Sequence, residues 1–172
     1  GRLHGRLDAV VHLAGRVGRG PLGTVTLDDW RSLLDVNLTS AFLVARAAHG
    51  ALARARGTLV LTASTNALNG GSALSGPAYA AAKAGVVNLV RYLAKEWAPD
   101  GIRVNCVAPG PVATPMLDRL GPDGIAALAA AVPLGRIASA ADVAATIDFL
   151  CSPAAGYLTG TVHNVSGGLA LD

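Results

Sequence analysis

Cysteine is nearly absent: two residues in 172, Cys106 and Cys151, each set among apolar neighbours. A disulfide framework is therefore not expected, and the pair reads as two buried thiols in a reducing cytoplasm. Lysine is as rare, at positions 83 and 95 only, and aromatic residues make up 4% of the chain. The basic side chains are mostly arginines scattered singly. Their densest set, Arg2, Arg6, Arg16 and Arg19, contains no aromatic on which a base could stack. The net charge of +3 thus reads as a solvated basic face, and no nucleic-acid partner is expected. No apolar run approaches the roughly 18 residues of a membrane span, so no membrane partner is expected either. A chain of this length can bury roughly 70% of its unfolded surface, so neither a disulfide nor a metal is needed to hold it. No metal site is expected.

What is present is 52% hydrophobic residues and only 15% charged, rich in Ala and Gly, the composition of one folded domain over residues 1–172. Four apolar runs read as strands of a parallel sheet: Ala9–Ala14, Thr58–Thr62, Ile102–Ala108 and Gly160–Val165. Helical patterns lie between them. Thr26 with Asp29 opens one that runs to about Arg56, bent near Asn37–Ser40. Pro77 can occupy the first turn of the next, PAYAAAKAGVVNLVRYLAKEW, which Pro99 and Gly101 stop. GIAALAAAV forms a shorter one enclosed by Pro122 and Pro133. Ser139 and Asp142 cap SAADVAATIDFLC, closed by Pro153. The alternation predicts an α/β fold: part of a Rossmann-like, doubly wound parallel sheet of about four strands with flanking helices.

The first strand leads into GRVGRG, a candidate phosphate loop. A phosphate turn needs a helix to start at once, yet the first good cap, Thr26, comes only after Pro21–Val25. The spacing G-x-x-G-x-G also reverses the dinucleotide fingerprint. A strand-end turn passing close to a ligand fits better. The chemistry lies elsewhere. Tyr79 and Lys83 stand one turn apart and project from one helical face, with small residues around them. An ammonium beside a phenol favours the phenolate, which makes Tyr79 a candidate general acid/base. Ser64 closes the strand TLVLTAS at the edge where α/β ligands bind, and Asn37 sits inside a helix, where its side chain needs local work. VNCVAPGPVATPM leaves a strand through Pro109 and Gly110 into a proline-rich loop able to close over a ligand.

Taken in order, LDAVVHLAG, LDVNLTSAFLV, TLVLTAS, YAAAKAG, GIRVNCVAPGPVATPM, PLGRIASAADVA and YLTGTVHNVSGG resemble the short-chain dehydrogenase/reductase family, in particular its single-domain type, from Leu7 to Leu171. The resemblance implies an oxidoreductase that interconverts a ketone and a secondary alcohol with NAD or NADP. It implies that Tyr79 passes the proton, Lys83 holds the nicotinamide ribose and lowers the Tyr79 pKa, Ser64 binds the substrate oxygen, and Asn37 holds a relay water. Pro109, Gly110, Val112 and Thr114 would line the nicotinamide side, and Ala14 and Gly15 would lie near the adenosine ribose. It also implies a homo-oligomer, a tetramer or dimer, assembled on the helices around Asn37 and Lys83.

In that comparison LDAVVHLAG corresponds to the family's fourth strand and its N-N-A-G turn. The family's T-G-x-x-x-G-x-G loop, which holds the adenine and pyrophosphate half of the cofactor, belongs upstream and has no counterpart in these residues. Ala9–Ala14 is then expected as an exposed sheet edge. A catalytically silent, oligomeric relative is the alternative expectation. The asparagines of N-N-A-G are replaced by His12 and Leu13, with His12 read as a structural substitute in preference to a base. Ser166 stands where the family more often has an acidic residue. Strand register favours Ser64 over Thr65 or Asn66 as the catalytic hydroxyl position, and the Ala- and Leu-rich stretch from Thr114 to Val132, with Asp118, Arg119 and Asp123, suggests a lid over a largely apolar pocket.

Overall fold

A computed structural model describes residues 5–171. Its centre is a four-stranded parallel sheet of β1 (Ala9–His12), β2 (Thr58–Thr62), β3 (Arg103–Pro109) and β4 (Val162–Val165), in that spatial order. The period-two alternation of the strands divides the core in two. Leu59, Leu61, Val104, Cys106 and Ala108 face one way, into a cluster with Ala41, Ala45, Val86 and Val90 of two long helices. Val60 and Val107 face the other way, against Val143 and Leu150. Helices thus cover both faces, and the sheet is doubly wound as expected. No helix among the described residues is long and apolar enough to cross a membrane.

The helices are α1 (Leu27–Leu34), α2 (Ser40–Ala55), a single turn α3 (Asn66–Asn69), α4 (Pro77–Trp97), α5 (Gly121–Ala131) and α6 (Ala140–Cys151). Thr26 caps α1 by accepting from the Asp29 N–H at 3.1 Å, and Ser139 with Asp142 forms a complete capping box on α6. The bend expected near Asn37 is a π-helical turn, Asp35–Thr39, that joins α1 to α2.

Several boundaries differ from expectation. β1 ends at His12, which pairs with Leu61, and not at Ala14. β3 is shifted by one residue, whereas β2 has the expected bounds and leaves Ser64 two residues beyond its end. β4 begins at Val162 because Gly160 has φ +74°, outside extended backbone. Pro122 lies within the first turn of α5 instead of bounding it, since a first-turn residue needs no N–H. Within the described residues β1 is an edge strand, with Val11 and Leu13 exposed.

Candidate active site

The amino end of α4 delivers the two central side chains. Gly76, at φ +74°, turns the chain into Pro77, and Tyr79 and Lys83 then follow one turn apart. Ala78 and Ala82 beside them are fully buried, so the helix packs close to the sheet. The result is unusual for a lysine: Lys83 is only 3% exposed, and Tyr79 9%. Lys83 Nζ donates to the Thr62 carbonyl at the end of β2, at 2.8 Å, and lies 5.7 Å from the centre of the Tyr79 ring. Burial pushes the Lys83 pKa down to about 8. The ammonium is still the major form at pH 7.

Tyr79 departs from the sequence-based expectation. Burial raises its pKa above the ordinary phenol value, and the neighbouring Ser64 hydroxyl offsets this only in part. Tyr79 is therefore a protonated phenol at neutral pH. Ser64 is buried beside it, and its Oγ accepts from the Asn66 N–H at 3.2 Å. The Thr65 N–H donates to Pro109 O at 3.1 Å. Of the three candidate positions, Ser64 is the one that lines the cavity.

Asn37 is buried in the π-helical turn and stands behind this pair. Its Nδ2 donates to Leu33 O at 2.9 Å and to Arg16 O at 2.8 Å, while its Oδ1 accepts from the Arg16 N–H at 3.2 Å. Gly15 fits between Asn37 and Lys83. A Cβ on it would lie 2.9 Å from Asn37 Oδ1 and 3.3 Å from Lys83 Nζ, which explains why this position has no side chain.

Gly15, Ser64, Tyr79, Lys83, Pro109, Gly110, Val112 and Thr114 line one cavity of about 420 Å³. Ala14 is exposed and outside its wall, and Asn37 reaches it only through Gly15. Gly110 is required by close approach, since a Cβ there would lie 3.1 Å from the Ser166 Cα. Ser166 is buried, its Oγ accepting from the Ala170 N–H at 3.3 Å, so a neutral hydroxyl suffices to hold the turn. His12 is also buried, and both burial and the Lys83 charge push its pKa down, so its ring stays neutral. It lies outside the cavity wall. Sequence reasoning missed the far wall, Val143, Ala144 and Ile147 of α6, and its signal was the apolar i, i+4 spacing of Val143 and Ile147. Among the described residues there is no group of His, Cys, Asp or Glu able to hold a metal.

The family model described as enoyl-(acyl carrier protein) reductase matches residues 1–170. The chain is 37% identical over 166 residues to the 3-oxoacyl-[acyl-carrier-protein] reductase FabG of Salmonella typhimurium, covering 96% of this chain and 67% of that one. It is 39% identical over 175 residues to a protein of Xanthobacter autotrophicus named inactive 2-(S)-hydroxypropyl-CoM dehydrogenase 2, covering 98% of this chain and 75% of that one. Among solved structures, a 3-oxoacyl-[acyl-carrier protein] reductase from Brucella melitensis with bound NAD superposes with a TM-score of 0.88 at 33% identity, over 96% of this chain and 63% of that one. The chain thus spans about two thirds of the length of the reductases it matches.

Proposed function

Since the chain belongs to the short-chain dehydrogenase/reductase family, we propose that it interconverts a ketone and a secondary alcohol with NAD or NADP, with Tyr79 as general acid/base. The observation that carries this reading is the burial of Tyr79, Lys83 and Ser64 together at the mouth of β2. Burying an ammonium is costly and needs a reason, and here its one partner among the described residues is the Thr62 carbonyl. Two N–H groups of Lys83 remain for ribose hydroxyls, and the missing Cβ of Gly15 leaves them room. The residues present fit the nicotinamide-ribose end of the cofactor. When bound, the nicotinamide supplies or accepts the hydride.

The chain's own residues handle the proton. In reduction, the protonated Tyr79 phenol donates to the carbonyl oxygen, and the Ser64 hydroxyl donates a second hydrogen bond that fixes that oxygen. Lys83, charged below about pH 8, stabilises the phenolate that forms. Asn37 acts from behind, fixing the Arg16 backbone and with it the position of Gly15. The α6 wall and Pro109 keep the site largely apolar, which suits a carbonyl substrate with an apolar flank. We further propose a homo-oligomer built on α2 and α4, where Phe42, Leu43 and Tyr92 are exposed.

A catalytically silent relative remains the second reading, favoured by the likeness to a relative named inactive. Calorimetric titration with NADH and NADPH separates the two. The enzyme reading predicts saturable binding of one of them, weakened at least tenfold in Lys83→Met. A folded protein that binds neither contradicts it.

A further inference from the structure

The stretch GRVGRG has no part in the proton chemistry, yet it is held firmly. Asn37 pins Arg16 by both its N–H and its carbonyl, and the Gly20 N–H donates to Ala73 O at 2.8 Å. Gly18 has no room for a side chain, since a Cβ would lie 2.9 Å from Ser75 O. Facing this loop is Arg119, in the 3-10 turn Pro115–Leu120, whose Nη2 donates to Leu74 O at 2.7 Å. Adjacent residues, Ala73 and Leu74, thus tie loop and lid together. Between them lies a cavity of about 710 Å³, into which Arg16, Arg19 and Arg119 face together with a single carboxylate, Asp29.

The charge there is unbalanced. Asp29 is already engaged by the Thr26 hydroxyl at 2.7 Å in capping α1. Among the described residues, none of the three guanidiniums is ion-paired with a carboxylate. Arg16 donates to Ser32 Oγ at 2.8 Å. Three guanidiniums gathered in one concavity with one carboxylate focus a positive potential on it, and their planar forks match phosphate or carboxylate oxygens two at a time. The cavity also adjoins the candidate active site: Gly15 lines one and Arg16 the other, and the lid lends Met116 to the first and Arg119 to the second. A cofactor pyrophosphate fits this loop poorly, because α1 does not begin until Leu27 and no helix terminus faces it from the loop.

We propose that Arg16, Arg19 and Arg119 bind the anionic end, a phosphate or carboxylate group, of the substrate whose carbonyl is presented to Tyr79. The placement of that carbonyl rests on the oxidoreductase reading; the anion site itself does not. The test is calorimetric titration of the protein with inorganic phosphate and, separately, with succinate at low ionic strength. At least one is expected to bind saturably, with affinity falling as salt is added. Arg19→Gln and Arg119→Gln should each weaken binding about tenfold, and Arg91→Gln, outside the cavity, should not. Arg19 makes no hydrogen bond to a described residue through its guanidinium, so its variant leaves the fold intact, as circular dichroism would verify. Binding of phosphate alone supports a phosphorylated substrate, and of succinate alone a carboxylated one. Binding of neither, equal loss in Arg91→Gln, or displacement of the anion by NADH would overturn the proposal. Tyr79→Phe should bind the anion as the parent does, so failure of the proton-transfer reading and failure of the anion site give different results.

Discussion

Lys83 is the residue whose environment most shapes the site. Its ordinary pKa of 10.5 falls to about 8 in the folded chain because the ammonium has left water. Between those values the unfolded chain holds a proton that the folded chain has released, so the Lys83 contribution to stability rises with pH across that window. Below about pH 8 the full cost of the buried charge weighs on the fold. Lys83→Met should therefore be more stable than the parent at pH 7, by about 2 kcal/mol after loss of the bond to Thr62 O. The gap should narrow toward pH 10, as urea midpoints at several pH values would reveal. Gly15→Ala tests the same cluster sterically. Its methyl group would press on Asn37 Oδ1 and Lys83 Nζ, and a loss of about 1–3 kcal/mol is expected in the same measurement. The pairing of Tyr79 with Lys83 was legible in their spacing. The raised Tyr79 pKa was not, because it depends on how deeply α4 is buried, which spacing does not encode.

At the scale of elements, proline and capping residues made α4 and α6 legible to within a residue, since Pro77, Ser139 and Asp142 act on the backbone nearest them. The turn between α1 and α2 was legible only as a bend. Its π geometry depends on Asn37 bonding both Leu33 O, four residues back, and Arg16, far away in sequence. Long-range partners of this kind leave no local mark. Asn37→Ala would remove both bonds to the part-buried Arg16 backbone and the buried bond to Leu33 O, at a cost of about 2 kcal/mol. It should also loosen the GRVGRG loop, read as faster amide hydrogen exchange at Arg16. Unchanged exchange there would mean the loop is held by Gly20 and Ala73 alone. The late start of β4 was equally hidden, because the positive φ of Gly160 cannot be told from that of a glycine in a strand.

For the whole molecule, the doubly wound parallel sheet followed from the alternation of strand and helix patterns, and the family resemblance followed from motif order. What the sheet gathers at its carboxyl edge, Ser64 just beyond β2, Pro109 from β3 and the α6 wall, is a product of topology. The exposed Phe42 and Tyr92 border a groove of about 440 Å³ beside Trp97, between α2 and α4. If this face joins copies of the chain, Phe42→Asp should lower the mass seen by analytical ultracentrifugation and leave the circular dichroism spectrum unchanged.

The role of Tyr79 is tested by the rate of ketone reduction by the parent and by Tyr79→Phe at pH 7, measured with the nicotinamide cofactor that binds. If Tyr79 is the acid, the phenylalanine variant should keep cofactor affinity and lose about 10²–10⁴-fold in rate. A variant as active as the parent would contradict the assignment, and the proton would have to come from another group.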